Sequence, residues 1–480
     1  MLFPGMEIVE RALFRVTRDH GSDISDDADD LVEAVEHELR RRRYGAVTRV
    51  EVSSGMSAEM LERLRRGLGV TDELLYHVAG MLDLSDLSEL TSLDRPDLKD
   101  DPWIPVARPP LANAAGPAKF SSIATAPLLV HHPYDSFAST YEAFMANAAD
   151  DPDVVALKST VYRAGQGTPL APTLTRAAEN GKQVVCLIEI KARGDERVNI
   201  HWAREVEQSG VHVVYGLPAM KIHAKTTLVV RREGGTLRRY VHIGTGNYNH
   251  LTAKMYEDFG LFTADEQIAD EVTGLFNYLG GFAQPPGFKK LLVAPYNLRD
   301  RLIEEMRAVG DASACGQTAR IRIKVNALTD EEVIEELYAA SQAGARVELV
   351  VRGICSLRPG VPGLSDGVRV RSVLGRFLEH SRLFQFEAGK RRAFYLGSAD
   401  LMPRNLHHRF EVVAPVEDSA AQCEIESALN LLLSDTAFSW ELHADGQWRR
   451  VRSISGEKRE SAQATFMRRA RSRASQLQSP

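Results

Sequence analysis

The sequence has few cysteines, no long apolar run and no excess of positive charge, and each shortage excludes a class of protein. Its four cysteines lie far apart and form no CxxC pair, which excludes a zinc ribbon and a disulfide framework. No stretch approaches the roughly 18 consecutive apolar residues of a membrane-spanning helix. We therefore expect reduced thiols, no transmembrane segment and a cytoplasmic location.

The charge balance limits the possible partners. Lys and Arg number 59 against 65 Asp and Glu, so the formal net charge is −6. Such a chain has no general attraction to nucleic acid or to an anionic membrane, and a polyanion must be bound by a local basic cluster. We expect no nucleic-acid partner. With 44% hydrophobic and 26% charged residues, the 480-residue chain is typical of a globular protein with about three domains.

The first part of the chain predicts a small α+β head domain over residues 1–110. Apolar residues recur at helical spacing in 29–43, hydrophobic and polar residues alternate in 47–52, and 57–69 is again helix-like. The stretch 106–117 is rich in Pro, Ala and Gly, which favours a linker.

Beyond the linker, β-branched runs alternate with amphipathic helices, which predicts a parallel sheet covered on both faces. In the second half, the pattern from Thr329 to Glu332 predicts a capping box at the start of a helix. The fold class expected is therefore α/β, with two tandem α/β domains at 111–290 and 291–480 behind the head domain.

The two halves repeat the same sequence motifs in the same order. KIHAKTTLVV at 221–230 matches LEHSRLFQF at 378–386, and the two histidines are 380 − 223 = 157 residues apart. Each histidine precedes a glycine motif by a similar interval, 244 − 223 = 21 and 397 − 380 = 17. An internal duplication explains this, and it would bring equivalent strand ends to one interface, where pockets tend to lie.

The paired histidines predict phosphoryl-transfer chemistry. A single strand histidine is usually a structural residue, but His223 and His380 occupy matching positions, and each has a basic residue two positions on, Lys225 or Arg382. Neutral imidazole is a good nucleophile, a second imidazole can move a proton, and a cation can neutralise phosphate oxygens.

The two histidine motifs resemble the half-sites of the phospholipase D superfamily. Neither half carries that superfamily's aspartate five residues after the basic residue; Val230 stands there in the first half. The absence disfavours diester hydrolysis. Almost the whole chain resembles the class 1 polyphosphate kinase family, which shares the duplicated phospholipase D-like fold without those aspartates. The stretches that carry the resemblance include LLVHHPYDSF, EIKARGDERVNI, KIHAKTTLVVRRE, HIGTGNYN and RGICSLRPG.

The resemblance implies an ATP:polyphosphate phosphotransferase. In this family the γ-phosphoryl of ATP moves reversibly onto inorganic polyphosphate through a phosphohistidine, which would form on His223, with His380 as acid, base or nucleotide contact. Mg²⁺ is the implied cofactor, ATP, ADP and polyphosphate are the implied partners, and a homo-oligomer is expected. The chain begins inside what resembles the family's second domain, without the preceding helical domain, as a natural short form or a fragment.

Further site residues follow from the same resemblance. Arg163 and Arg193 match positions at the Mg²⁺ and phosphate site, where a guanidinium would bind phosphate oxygens and not the metal. The expected ATP and phosphate contacts, besides His380, are Tyr256, Arg352, Lys225, Arg382, Asn247 and Asn249. From residue type alone, Tyr256 would be core packing in a helix-like segment.

Two other functions stay open from the sequence. One is a non-catalytic polyphosphate-binding or regulatory homologue, which would need the arginines but not both histidines. The other is a phospholipase D-like phosphodiesterase, which the missing aspartates disfavour. The basic stretch that ends the chain could follow a long polyphosphate, but we expect it to be a frayed tail.

Overall fold

The structure is a computed structural model, and it describes residues 5, 7–19, 31–111, 116–162, 168–192, 194–216, 220–281, 287–452 and 461–478. The chain divides into two compact units, Met1–Ile104 and Pro105–Pro480.

The first unit contains a three-stranded sheet and two α-helices. Strands β1 (Phe14–Arg18) and β2 (Val47–Ser53) pair antiparallel, and β2 pairs parallel with β3 (Leu75–Val78). The helices are α1 (Leu31–Arg41) and α2 (Ala58–Leu68). The Ser57 hydroxyl accepts the amide of Met60 at the start of α2, as a helix cap does. The predicted α+β pattern is therefore confirmed.

The second unit contains both tandem halves. The elements of its first half are α3 (Pro117–Thr125), β4 (Leu128–His132), α4 (Ala143–Asp150), β5 (Val154–Val161), α5 (Leu170–Glu179), β6 (Gln183–Ile188), α6 (Glu196–Gln208), β7 (His212–Val214), β8 (Lys221–Ile222), β9 (Thr226–Glu233), β10 (Thr236–Gly244), β11 (Tyr256–Thr263) and α7 (Glu266–Leu279).

The second half repeats this series with additions at its end. Its elements are β12 (Leu292–Ala294), α8 (Leu298–Ala314), β13 (Ala319–Val325), α9 (Glu331–Gln342), β14 (Arg346–Val351), β15 (Val368–Val373), β16 (Leu378–Glu379), β17 (Arg382–Ala388), β18 (Arg391–Gly397), α10 (Pro403–His407), β19 (Arg409–Pro415), α11 (Ser419–Ser434), β20 (Ser439–Leu442), β21 (Trp448–Arg450) and α12 (Ala462–Gln478).

Each half builds a mixed sheet, so the expectation of a parallel sheet was wrong for part of it. Strands β5, β6 and β7 are parallel, as are β13, β14 and β15. Strands β9 to β11 and β17 to β19 continue the sheets antiparallel. The reason is a short hairpin in each half: Gly234 and Gly235, both at positive φ, join β9 to β10, and such a turn connects only antiparallel neighbours.

The halves exchange short strands. Strand β8 pairs parallel with β19 of the second half, and β16 pairs parallel with β11 of the first half. The backbone amide of His223 donates to the Phe410 carbonyl at 2.9 Å, and that of His380 donates to the Glu257 carbonyl at 3.2 Å. The two histidines therefore follow equivalent strands at one shared interface, and the tandem α/β arrangement is confirmed.

Three local predictions need correction. Asp330, and not Thr329, caps α9, because its carboxylate accepts the amide of Val333. Tyr256 begins strand β11 and does not lie in a helix. The chain's end is not a frayed tail over 462–478, because α12 forms there and its residues Phe466 and Ala470 are buried in the second unit. Among the described residues, no helix is both long and apolar enough to cross a bilayer.

Candidate active site

Two crossed imidazole–carboxylate pairs lie at the interface between the halves. His223 Nδ1 is 2.8 Å from Oε2 of Glu411, which belongs to the second half. His380 Nδ1 is 2.9 Å from both carboxylate oxygens of Asp258, which belongs to the first half. The strand pairing causes this symmetry: β8 runs beside β19 and β16 beside β11 in the same register. Each histidine is thus oriented by a carboxylate of the opposite repeat.

Both carboxylates are fixed by further hydrogen bonds. The Thr245 hydroxyl donates to Asp258 at 2.6 Å. The Ser398 hydroxyl, at the matching position of the second half, donates to Glu411, and the Asn405 amide donates to the other oxygen of Glu411 at 2.8 Å. The hydroxyl that follows each strand-ending glycine therefore holds the acid that orients the other half's histidine.

His223 is held as a neutral imidazole. Burial lowers its pKa well below the ordinary histidine value, and the nearby positive charges of Lys225, Arg409 and Arg382 lower it further. The ring packs edge-on against Tyr162 at 4.9 Å between centroids. Among the described residues, the ring's hydrogen bond is the one from Nδ1 to Glu411, and none is made at Nε2. With Nδ1 directed at Glu411, Nε2 keeps a lone pair for an electrophile.

The surroundings of Nε2 differ between His380 and His223. One guanidinium nitrogen of Arg382 lies 3.1 Å from Nε2 of His380 and 3.3 Å from its Nδ1, and the ring lies 5.1 Å from that of Tyr256. Burial lowers the pKa of His380, while the charge of Asp258 opposes that shift. The two histidines are therefore equivalent in the fold but unequal in their chemical surroundings.

Buried cations surround the pair. Lys225 is 2% exposed, donates to the carbonyl of His223, and has its pKa lowered well below the ordinary value, chiefly by burial. Arg382 donates to Asp400 at 2.9 Å and to the carbonyl of Thr245 at 3.3 Å. Such donors can neutralise the oxygens of a transferring phosphoryl group.

Arg352 lies close to this cluster. Its Nε donates to Oδ1 of Asn326 at 2.8 Å, which leaves its other N–H groups for a ligand. Burial lowers its pKa, and the neighbouring charge of Arg382 acts in the same direction. The structure thus brings Arg352 near the His380 side of the interface.

The Gly-Thr-Gly-Asn turn borders a small pocket of about 20 Å³ that Asp258 also lines. Oδ1 of Asn247 has no hydrogen-bond partner among the described residues, so it can accept from a ligand or from water. Asn249 has a local role, since its Oδ1 accepts the amides of Leu251 and Thr252. Gly246 permits the approach of Asp258, because a Cβ there would lie 2.1 Å from the Asp258 Oδ2.

The two halves differ in the polarity of the residue that precedes each histidine and of its strand partner, which are charged beside His380 and apolar beside His223. Behind His380, Lys324 Nζ lies 2.6 Å from Glu257 and 3.1 Å from Glu379, and all three groups are buried. Burial, together with the charge of Glu257, raises the pKa of Glu379 to about 7, against the opposing charge of Lys324. Behind His223 the matching positions are the apolar Ile222 and Phe410.

The sequence analysis missed Asp258 and Glu411. A signal for them exists: each stands the same distance after its strand-ending glycine, 258 − 244 = 14 and 411 − 397 = 14. Two predicted residues, Arg163 and Arg193, lie outside the described residues.

Comparison with known proteins follows the same division of the chain. Sequence models of the polyphosphate kinase middle domain, C-terminal domain 1 and C-terminal domain 2 match residues 1–90, 118–285 and 291–463. The chain belongs to the polyphosphate kinase family. A polyphosphate kinase of Mycolicibacterium gilvum is 50% identical over 450 residues, and one of Mycobacterium leprae is 49% identical over 479 residues.

The chain of this polyphosphate kinase family member spans part of the length of those relatives. It spans 62% of the length of the Mycolicibacterium gilvum protein and 64% of the Mycobacterium leprae protein, while 93% and 98% of its own residues are matched. The crystal structure of the polyphosphate kinase from Porphyromonas gingivalis superposes with a TM-score of 0.84 at 29% identity, over 99% of this chain and 69% of that one. The family relationship therefore extends across the head unit and both tandem halves.

Proposed function

We propose that this chain transfers the γ-phosphoryl group of ATP reversibly to inorganic polyphosphate through a phosphohistidine at His223. The observation that carries the proposal is the crossed pair of imidazole–carboxylate contacts, His223 with Glu411 and His380 with Asp258. A protein that only bound phosphate would need the surrounding cations, but not two oriented imidazoles.

In the first step the Nε2 lone pair of His223 attacks the γ-phosphorus of ATP. The P–N bond forms, the bond between the γ-phosphorus and the bridging oxygen breaks, and ADP leaves with that oxygen. The Nδ1 proton stays directed at Glu411, whose carboxylate balances the positive charge that develops on the imidazole. In the second step a terminal oxygen of polyphosphate attacks the phosphorus, the P–N bond breaks, and the chain is one phosphate longer.

The other residues position the substrate and neutralise charge. His380 and Arg382 would contact the transferring phosphoryl or the leaving nucleotide opposite His223, with Tyr256 and Arg352 beside them. In-line phosphoryl transfer depends chiefly on such positioning and charge neutralisation.

We expect Mg²⁺ to enter with the nucleotide. No group of three or more His, Cys, Asp or Glu side chains suited to a metal occurs within the described part of the chain. Guanidinium groups cannot ligate a cation, so Arg163 and Arg193 would act on phosphate oxygens that the metal also binds.

The test is turnover by the purified chain. With ATP, Mg²⁺ and a polyphosphate primer, the wild type should form ADP and acid-insoluble polymer, and with ADP and polyphosphate it should form ATP. His223→Ala should abolish both directions, whereas His212→Ala, at an exposed histidine of the same half, should retain them. Turnover that survives in His223→Ala would contradict the assignment, and a wild type that binds polyphosphate without turnover would support the non-catalytic alternative.

Location and assembly stay predictions. We expect the chain to act in the cytoplasm, in keeping with four free cysteines. We also expect a homo-oligomer, which sedimentation velocity at several protein concentrations would detect; a monomer throughout would contradict it.

A further inference from the structure

Helix α12 concentrates positive charge in a chain whose net charge is negative. Its 17 residues include four arginines and no Asp, Glu or Lys, whereas the whole chain carries −6. The helix packs through Phe466 and Ala470, and the Gln463 side chain bonds both the amide and the carbonyl of Phe377. The arginines are therefore displayed on a docked element, and part of their conformational entropy is already lost.

Three arginines from two distant parts of the chain converge on one cleft. Arg469 and Arg473, one turn apart on α12, line it together with Arg108, and the cleft has a volume of about 300 Å³. Its floor is aromatic, formed in part by Phe259 and Phe466. A cleft of this size is large enough for several linked phosphate groups.

The arginines keep donors available for a ligand. Arg473 donates to Asp135 at 2.5 Å, Arg108 donates to Glu424, and Arg469 donates to the Ser427 hydroxyl at 2.7 Å. Within the described part of the chain Arg469 has no carboxylate partner. Each guanidinium has five N–H donors, so these contacts fix the groups without using all their donors. Three guanidinium charges against two carboxylates leave 3 − 2 = +1 at the cleft.

The cleft lies on the opposite face of β11 from the candidate active site. The Phe259 side chain stacks at 3.9 Å on His131, which lines the cleft, whereas the neighbouring Asp258 points to His380, since successive strand residues face opposite sides. Neither His223 nor His380 lines the cleft. A ligand in the cleft is therefore separate from the phosphoryl group that would meet His223.

We propose that this arginine cleft, defined by Arg108, Arg469 and Arg473, binds a second segment of an inorganic polyphosphate chain. The proposal rests on polyphosphate being the substrate. Guanidinium groups match phosphate oxygens bidentately, and a polymer that occupies both sites gains affinity through effective concentration, whereas a short one does not. The cleft thus selects for chain length.

The test compares two double variants of the full chain. Arg108→Gln with Arg469→Gln removes two cleft charges and leaves Arg473, whose loss would strand the buried Asp135. Arg468→Gln with Arg471→Gln removes the same charge from the exposed side of α12 and is the control. Affinity for fluorescent long polyphosphate should fall about tenfold in the cleft variant and less than about twofold in the control. Affinity for tripolyphosphate should not change in either.

Salt dependence gives an independent measurement. The slope of log Kd for long polyphosphate against log salt should decrease by about two in the cleft variant, because two charge contacts are lost. Equal long-chain affinity in the cleft and control variants would overturn the proposal, and so would a loss confined to ATP and ADP, which would make the cleft a nucleotide site. A wild type that binds neither long nor short polyphosphate would instead overturn the proposed function itself.

Discussion

His223 and His380 each direct Nδ1 to a carboxylate of the opposite half, but their Nε2 atoms meet different neighbours. A guanidinium nitrogen of Arg382 lies 3.1 Å from Nε2 of His380, while Nε2 of His223 makes no hydrogen bond among the described residues. A nucleophile at His223, as proposed, needs a free lone pair, and the proposed partner His380 needs to be held against a cation. The difference between the two sites therefore comes from single contacts and not from the backbone, which is nearly symmetric.

Glu411→Gln tests the orienting role of the carboxylate. The amide has nearly the same shape but no charge, so it can hold the wrong imidazole tautomer and cannot balance the charge on the phosphorylated ring. We expect phosphoenzyme formation to slow by about 10²- to 10⁴-fold, as for carboxylates in nucleophile–base triads. Rapid-quench measurement of the first turnover would show it. Glu417→Gln, at an exposed position, is the control, and unchanged first-turnover rates in Glu411→Gln would contradict the orienting role.

At the scale of the elements, strand β16 ends at Glu379, a buried carboxylate directly before His380. Glu379 has its folded pKa raised to about 7, so the folded chain keeps a proton that the unfolded chain loses near the ordinary value of 4.5. The stability from this group is present at low pH and is lost as pH rises through about 4.5 to 7. Glutamine cannot titrate and should not show that loss.

Glu379→Gln should therefore become more stable relative to wild type as pH rises. We expect the difference in free energy of unfolding to move in favour of the variant by up to about 3 kcal/mol between pH 4 and pH 8. Urea unfolding at four pH values measures it, with Glu335→Gln on the exposed face of α9 as the control. A difference that does not change with pH would show that Glu379 does not titrate as described.

The glycine turn after β10 leaves no space for a side chain at Gly246. A Cβ at Gly246 would lie 2.1 Å from Oδ2 of Asp258, and that carboxylate is held by Thr245 and His380. Gly246→Ala should displace Asp258, cost about 1–3 kcal/mol of stability and slow turnover. Gly287→Ala, where the added Cβ has open space, is the matched control. Equal melting temperatures and turnover in the two variants would contradict this steric argument.

At the scale of the whole molecule, the duplication could be predicted because short sequence motifs recur in the same order in both halves. Each histidine motif, glycine turn and helix is recognisable within a few neighbouring residues, and the tandem α/β arrangement follows from them. The antiparallel part of the first sheet has a sequence signal of its own, the Gly234–Gly235 pair of a short hairpin between two strands.

The crossed contacts between halves could not be predicted in the same way. Which acid meets which histidine depends on the pairing of β8 with β19 and of β16 with β11. No short pattern specifies pairing across 409 − 221 = 188 and 378 − 256 = 122 residues. The equal spacing of Asp258 and Glu411 after their glycines marks them as repeat partners, but only the fold shows that each serves the other repeat. The docking of α12 likewise depends on buried contacts of Phe466 and Gln463 that a charge run does not reveal.

Phosphate labelling tests the central claim, that two equivalent repeats divide the work between an unequal pair of histidines. The chain is incubated briefly with γ-labelled ATP and Mg²⁺, denatured in alkali, and the label is located by peptide mapping. We predict an alkali-stable, acid-labile label on the peptide that contains His223, present in wild type and absent in His223→Ala. A label that persists in His223→Ala, or that maps to the peptide containing His380, would contradict the account.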